Sequence, residues 1–293
     1  MFKNSLISII IFLFSIVIFF NIKITNNEIA NTWDLWVDKV IPSIPVSYFL
    51  GNLLYYYNNV IKMFFPFFKK IFNFESHESF LLFIISIIIG NPTSTILITN
   101  AYEKGNISKI ETTRLLRISS FVSIFFLIFV LQPVYCIPII LGQIISAFII
   151  NKKEKVEERL IPYHKDVLNI FYIIEKLPVV LLNILATMIL VSLCKTFISL
   201  LFPNSHFFIP TILAYLEITS GIQILSNLYT GILFVFFGST LISFHGFAIL
   251  LQVFIFLKQK KLNIKDYLKY RLLNSFQSTI FSIVFYLFMQ FFF

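Results

Sequence analysis

Glu217 is the residue whose type and position most clearly indicate chemistry in this sequence. It stands in AYLEITSGIQIL (214–225), an otherwise apolar stretch, and Thr219, Ser220 and Gly221 follow it closely. In such surroundings a carboxylate is kept only where a partner, water or a bound species compensates its charge, so Glu217 indicates a binding site. The alternatives are a structural hydrogen-bond anchor and a carboxylate near the edge of the apolar layer.

His245 is the second candidate, because it alone of the four histidines lies within a predicted apolar span. It neighbours Gly246 and several hydroxyl residues, including Ser243. We therefore take Ser243, His245 and Gly246 as candidate contact residues, with simple packing of the histidine as the alternative. Lys195 is a weaker candidate, since it stands near the end of its span and its long side chain could reach the membrane interface.

A third candidate is the sequence Gly90-Asn91-Pro92 in the middle of the apolar span 80–101. Pro92 has no N–H and Gly90 is conformationally loose, so together they interrupt a helix. Interrupted backbone inside a membrane must face protein or water, and transporters use it to build binding sites. A proline kink in a simple spanning helix is the alternative. The residues predicted to form a site at this break are Gly90, Asn91, Pro92, Thr93 and Ser94.

The elements that must position these residues are long apolar segments. Of the 293 residues, 58% are hydrophobic and only 13% are charged, far from a typical soluble composition. Several segments are long enough to cross a hydrocarbon layer of about 30 Å. We expect an all-α fold, a polytopic transmembrane helical bundle in the cell membrane. The predicted apolar spans are 5–22, 41–57, 80–101, 118–133, 135–150, 178–202, 208–228, 230–257 and 275–293.

The chain divides into four regions on this basis. We expect an N-terminal anchor helix at 1–27, because no cleavage site follows the first apolar stretch. A first membrane half at 28–150 and a second at 178–293 then flank a basic cytoplasmic loop at 151–177. Segment 28–40 carries two tryptophans, so it is either an interfacial helix or an ordinary connecting helix.

Loop charge predicts that some spans return to the side from which they enter. Basic residues mark the loops 58–79, 102–117, 151–166 and 258–271 as cytoplasmic. A single span lies between the first two loops, and three lie between the last two. Full crossings would place successive basic loops on opposite sides, so at least one span in each interval should be re-entrant.

A weak internal repeat indicates that the two halves are related. Asn106-Ile107 is followed at a fixed spacing by Arg114-Leu115-Leu116, and Asn263-Ile264 is followed at the same spacing by Arg271-Leu272-Leu273. Each copy comes after an interrupted apolar segment. The first is interrupted by Gly90-Asn91-Pro92, and the second carries Gly238-Ser239-Thr240 and then Ser243-Phe244-His245-Gly246 within 230–257. Paired interrupted segments in two halves are typical of transporter binding sites, although a match this short could also arise by chance.

Other function classes find no support in the sequence. It contains no P-loop, dinucleotide-binding turn, H-E-x-x-H motif or nucleophile elbow. We therefore expect no enzyme activity, no cofactor and no metal site. The net charge of +9 comes from loops beside apolar spans, which favours membrane topology over nucleic-acid binding.

Three segments together resemble the YlbJ sporulation integral membrane proteins, also called SpoVV, which carry nucleoside-recognition (Gate) domains. They are GNPTSTILITNAYEKGNISKIETTRLLRISSF (90–121), EITSGIQIL (217–225) and GSTLISFHGFAILLQ (238–252), and WDLWVDKVIPSIPVSYFLGNLL (33–54) is similar to the start of that family's conserved region. The residues that match its elements are Gly90, Pro92, Glu217, Thr219, Gly221, Ser243, His245 and Gly246. Asn91 and Thr93 depart from its more usual G-Y-P-M-G.

The resemblance implies two Gate-type halves, a forespore membrane location and movement of dipicolinic acid during sporulation. Nucleosides are the other substrate class that it suggests. We accordingly expect a membrane transporter of a small polar or anionic solute, with the lipid bilayer, a coupling proton or cation, and a second copy of the chain as candidate partners. The alternative is a noncatalytic membrane component of a sporulation or envelope complex.

Overall fold

The structure of the protein is a computed structural model, which describes residues 2–72, 74, 76–152, 170–203 and 207–292. The regular structure of these residues is entirely helical. The helices are α1 (Phe2–Phe20), α2 (Ile22–Leu35), α3 (Ile41–Tyr56), α4 (Asn59–Phe72), α5 (His77–Ile89), α6 (Thr93–Glu103), α7 (Lys109–Ile118), α8 (Ile124–Val130), α9 (Pro133–Lys152), α10 (Ile170–Leu201), α11 (Phe208–Ala214), α12 (Ile218–Leu228), α13 (Gly231–Phe244), α14 (Gly246–Gln259) and α15 (Ile264–Phe292).

The predicted all-α membrane bundle is confirmed. Within the described residues, four helical segments are long and apolar enough to cross a membrane. They are Pro133–Asn151, Ile173–Leu201, Gly231–Gln259 and Ile264–Phe292. A further pair, Ile11–Phe20 and Ile22–Tyr56, meets at an angle of 93° and adds a fifth candidate if it is counted as one span. The chain is therefore a multi-pass membrane protein.

The segment 28–40 is not a separate interfacial or connecting helix. It belongs to one continuous helix in which the π-helical stretch Trp36–Val40 joins α2 to α3. This stretch directly precedes Pro42, whose missing N–H interrupts α-helical hydrogen bonding. Trp36 packs inward and its Nε1 donates to the carbonyl of Leu181 in α10, 3.2 Å away. The predicted boundary before residue 41 is therefore absent.

Two of the predicted basic loops are largely helical. Most of 58–79 forms α4, and α7 occupies the second part of 102–117. Residues 153–169 of the predicted basic loop 151–177 lie outside the described residues. The last part of that region, from Ile170 onward, already belongs to α10.

The structure contains the two predicted helix breaks and two more. The span 80–101 is broken between α5 and α6, and 230–257 is broken at His245, whose φ is +80°. The span 118–133 is not one helix, because residues 119–123 are non-helical and only α8 follows. The span 208–228 is likewise broken at residues 215–217.

The break at 215–217 makes α11 and α12 a hairpin. The hydroxyl of Thr211, in the middle of α11, lies 2.8 Å from that of Tyr229, which directly follows α12. Near the tip, a Cβ on Gly221 would come within 2.1 Å of the carbonyl oxygen of Ala214, so only glycine fits. An α11 of 7 residues extends only about 10 Å. Arms this short predict that the hairpin enters and leaves the membrane on one side, the same expectation that loop charge gives for one span between 151–166 and 258–271.

The two arginines of the weak repeat occupy buried positions. Arg114 is 1% exposed and Arg271 is 0% exposed. Arg114 forms an ion pair with Glu111 at 2.9 Å and donates to Asn151 at 2.7 Å. Arg271 donates instead to backbone carbonyls, those of Ser120 at 2.8 Å and of Arg117. The repeat thus marks equivalent buried positions, although their partners differ.

Candidate functional site

The breaks of three helical segments meet at one point in the bundle. The side-chain amide of Asn91, in the first break, lies 3.4 Å from Nδ1 of His245 in another. Two backbone bonds join that second break to the hairpin tip, from Phe247 N–H to the Tyr215 carbonyl and from Ala248 N–H to the Leu216 carbonyl, each 2.9 Å long. Backbone N–H and C=O groups that lose their helical partners at one break therefore form hydrogen bonds with groups at another break. They do so inside the protein and not against lipid.

Asn91 holds the first break in place through its backbone N–H and both polar atoms of its side chain. Its backbone N–H donates to the carbonyl of Phe121, 2.8 Å away in the non-helical stretch 119–123. Its Oδ1 accepts from the hydroxyls of Ser94 and Thr95, each at 2.8 Å. Its Nδ2 donates to the Tyr267 hydroxyl at 3.3 Å. Asn91 therefore organises the crossing with both polar atoms of its side chain already bonded within the protein.

Gly90 permits the close approach on which this crossing depends. Its φ is +71°, and a Cβ there would lie 2.2 Å from the backbone nitrogen of Ser123. Gly246, with φ of +59°, serves the second break, where the chain passes the backbone of Ile218. Both glycines thus act through backbone geometry.

Ser243 belongs to helix packing. Its hydroxyl donates to Ser278 in α15 at 2.7 Å and accepts from Gln143 in α9 at 3.3 Å. His245 is fully buried and faces Asn91, while its Nε2 has no hydrogen-bond partner among the described residues. His245 and Ser94, which both contact Asn91, therefore support the crossing, whereas Thr93 is buried at the start of α6.

Glu217 caps the N-terminus of α12. Its Oε1 accepts from the Thr219 N–H and its Oε2 from the Ser220 N–H, each at 2.7 Å. These are the unpaired first N–H groups of a helix, and the positive end of the helix dipole stabilises a carboxylate there. Glu217 thus makes the hydrogen bonds that a structural anchor would make, and the same carboxylate also lines two cavities.

Lys195 pairs with Glu217 through a shared hydroxyl. Its Nζ donates to Ser220 Oγ, and Ser220 Oγ donates to Glu217 Oε2 at 2.7 Å. Lys195 is 8% exposed and Glu217 is 6% exposed. Instead of reaching an interface, the ammonium is held in the protein, because the hairpin places a carboxylate and a hydroxyl beside it.

A cavity of about 690 Å³ opens beside this bridged pair. It lies between α2, α10 and the α11–α12 hairpin, and much of its lining is polar. Its inner wall carries Glu217, Ser220 and Lys195, whereas Asp34 and Asp38 of the outer wall are exposed. Glu28 of α2 also lines it and attracts the Lys195 ammonium electrostatically. Its size is typical of sites for small molecules.

A second cavity of about 50 Å³ lies at the crossing of the breaks. Asn91, Pro92 and Thr219 line it, together with Thr187 of α10 and Gln252 of α14. Glu217 and Met188 line both cavities, so the small one adjoins the inner wall of the large one.

The structure brings most of the predicted residues together and adds others. Asn91, Pro92, Glu217, Thr219 and Ser220 contribute to cavity walls, while Gly90, Gly221 and Gly246 allow close backbone approach. Thr187, Gln252 and the acids of the segment 28–40 were not predicted from the sequence. In 28–40 only the two tryptophans gave a signal, and no pattern distinguishes Thr187 or Gln252 from ordinary packing residues.

Comparison with protein-family models, with curated proteins and with solved structures gives no match for this chain. The resemblance to the YlbJ proteins therefore stays a prediction, and function has to be inferred from the geometry of the two cavities.

Proposed function

We propose that this membrane protein transports a small polar solute, which binds in the large cavity against the hairpin tip. The observation that carries the proposal is the convergence of three helix breaks on one point beside a polar cavity of about 690 Å³. Breaks are costly in a membrane unless protein or water satisfies their polar groups, and transporters use them to line solute sites. Helix packing alone would not need a cavity of that size.

The charges of the cavity favour an uncharged or cationic solute. Among the described residues, its lining includes four carboxylates, those of Glu28, Asp34, Asp38 and Glu217, and one ammonium, that of Lys195. A free dicarboxylate such as dipicolinic acid, which the family resemblance implies, would be repelled by this excess of negative charge. An anion would therefore have to enter protonated or together with cations, and the carboxylates would be the groups that bind the coupling ion.

Flux into proteoliposomes tests the proposal. The purified protein is reconstituted, and uptake of labelled uridine and of labelled dipicolinate is followed with and without an imposed proton or sodium gradient. We expect flux above that of empty liposomes for at least one solute. Glu217→Gln should reduce it about tenfold, since a buried charge–hydrogen-bond network is lost. The matched control is Glu175→Gln, which should retain full flux. Glu175 is an exposed glutamate on α10 that does not line the large cavity.

If liposomes that contain folded protein take up no more uridine or dipicolinate than empty liposomes do, transport of nucleosides and of dipicolinate is rejected. That result would favour the noncatalytic membrane component. A forespore location, dipicolinate as the solute and assembly with a second copy are supported only by the family resemblance. The dipicolinate content of spores with and without the gene tests whether dipicolinate is the solute.

A further inference from the structure

We propose that the small cavity is an inner subsite that selects an N–H donor group of the transported solute, with Gln252 Oε1 as the selecting acceptor. The proposal rests on the transport function proposed above and specifies the chemistry of its solute. Gln252 is 6% exposed and lines this cavity, and its Oε1 has no hydrogen-bond partner among the described residues. A buried acceptor without a partner costs free energy unless something fills it.

The neighbouring Thr187 fixes which end of the Gln252 amide is open. The Thr187 hydroxyl has one proton, which it donates to a backbone carbonyl of its own helix, that of Ile184 at 2.9 Å or of Asn183 at 3.1 Å. Its oxygen can therefore only accept from Gln252. The atom of Gln252 that touches Thr187 must be the Nε2 donor, and Oε1 is the atom without a partner.

Most of the other polar groups of the small cavity have already used their donors. The amide of Asn91 donates to Tyr267 and faces His245, and the Ser123 hydroxyl donates to the carbonyl of Ile88 at 2.8 Å. Glu217 adds carboxylate oxygens, which can only accept. Thr219 supplies a hydroxyl that can act either way. The cavity therefore presents acceptors in excess, and it matches a group that brings N–H donors.

Its volume limits what can enter. About 50 Å³ holds a water molecule or two, or one small polar group, but not a whole solute. Because Glu217 and Met188 line both cavities, the body of the solute would occupy the large cavity while its amide or amine enters the small one. Gln252 is then a specificity-determining residue.

A pair of neutral probes isolates this hydrogen bond. Acetamide and acetone have the same shape and charge, but acetamide carries an NH₂ where acetone carries a methyl group. The shift in the midpoint of thermal unfolding is measured against the concentration of each probe, for the whole protein in nanodiscs. We expect acetamide to bind about tenfold more tightly than acetone, since acetone leaves the acceptor unpaired.

Gln252→Met keeps the shape of the side chain and removes the acceptor, so it should reduce that preference to less than about threefold. Gln143→Met is the control, because Gln143 is also buried but lines neither cavity; it should keep the tenfold preference. Equal affinity for the two probes in the wild-type protein, binding of neither, or an undiminished preference in Gln252→Met would overturn the proposal. A probe preference that depends on Gln252, in a protein that shows no flux, would instead reject transport and leave the subsite standing.

Discussion

Asn91 and His245 are separated by 154 positions in the sequence, and their side-chain nitrogens Nδ2 and Nδ1 lie 3.4 Å apart. Ser94 and Thr95 occupy Asn91 Oδ1, so the Asn91 atom that faces His245 is the donor Nδ2. The contact thus joins the break at 90–92 to the break at His245.

Replacing Asn91 and replacing Asn106 should have opposite consequences. Both are buried, but both side-chain polar atoms of Asn106 are without a partner among the described residues, whereas those of Asn91 are all bonded. Asn91→Leu should lower the free energy of unfolding by about 2–3 kcal/mol, and Asn106→Leu should leave it unchanged or raise it. Denaturant titration in detergent micelles measures both. A larger loss for Asn106→Leu would contradict the bonding described for the first break.

The bridged pair of Lys195 and Glu217 should behave as one unit. Lys195→Met leaves a buried carboxylate without its cation and should cost roughly 3 kcal/mol. The double variant Lys195→Met with Glu217→Gln removes both charges and should recover most of that loss. A double-mutant cycle on unfolding free energies measures the coupling. Strictly additive losses would mean that the two charges do not stabilise each other.

Gly90 and Gly105 form a matched pair for separating strain from steric contact. Both have positive φ, +71° and +75°, but a Cβ on Gly105 would meet nothing within 4 Å. Gly105→Ala should therefore cost only about 1 kcal/mol of strain. Gly90→Ala should cost about 3 kcal/mol, because its Cβ also collides with the Ser123 backbone. Thermal unfolding measures both variants. If Gly90→Ala and Gly105→Ala lower the stability by similar amounts, the close contact between position 90 and the Ser123 backbone is contradicted.

The two ends of the α11–α12 hairpin should lie on the same side of the membrane. With Cys136 and Cys194 replaced by serine, we expect single cysteines at Phe207 and Thr230, both exposed, to react with an impermeant thiol reagent in intact cells. A cysteine at Asn263, in a basic loop, should be protected, since such loops are cytoplasmic. Reaction at only one of the two hairpin ends would show that 208–228 crosses the membrane.

Breaks were predictable where the residues themselves disfavour a helix. Gly90 with Pro92, and Gly246 beside His245, carry their own conformational signal. Residues 215–217 and 119–123 contain neither glycine nor proline, and their interruption depends on contacts with distant backbone. One local signal did exist at 215–217: an acid before Thr219, Ser220 and Gly221 is typical of a helix N-terminus, and it could have been used to place the start of α12.

The pairing of Lys195 could not be derived from its own span. Nothing within α10 reveals that a hairpin will bring Ser220 and Glu217 against it. The same holds for Gln252, whose open acceptor results from the hydroxyl of Thr187 on another helix. Helical periodicity predicts the segments, whereas such sites depend on which segments meet.

The shortness of the α11–α12 hairpin also constrains how the chain is inserted during synthesis. Arms of 7 and 11 residues are too short to be recognised as spans by the insertion machinery, and their tip carries a carboxylate. α10 precedes the hairpin in the chain, so Lys195 leaves the ribosome before Glu217 does. The order of the segments thus supplies the Lys195 ammonium before the Glu217 carboxylate that it pairs with. The hairpin can then enter the membrane by packing against α10.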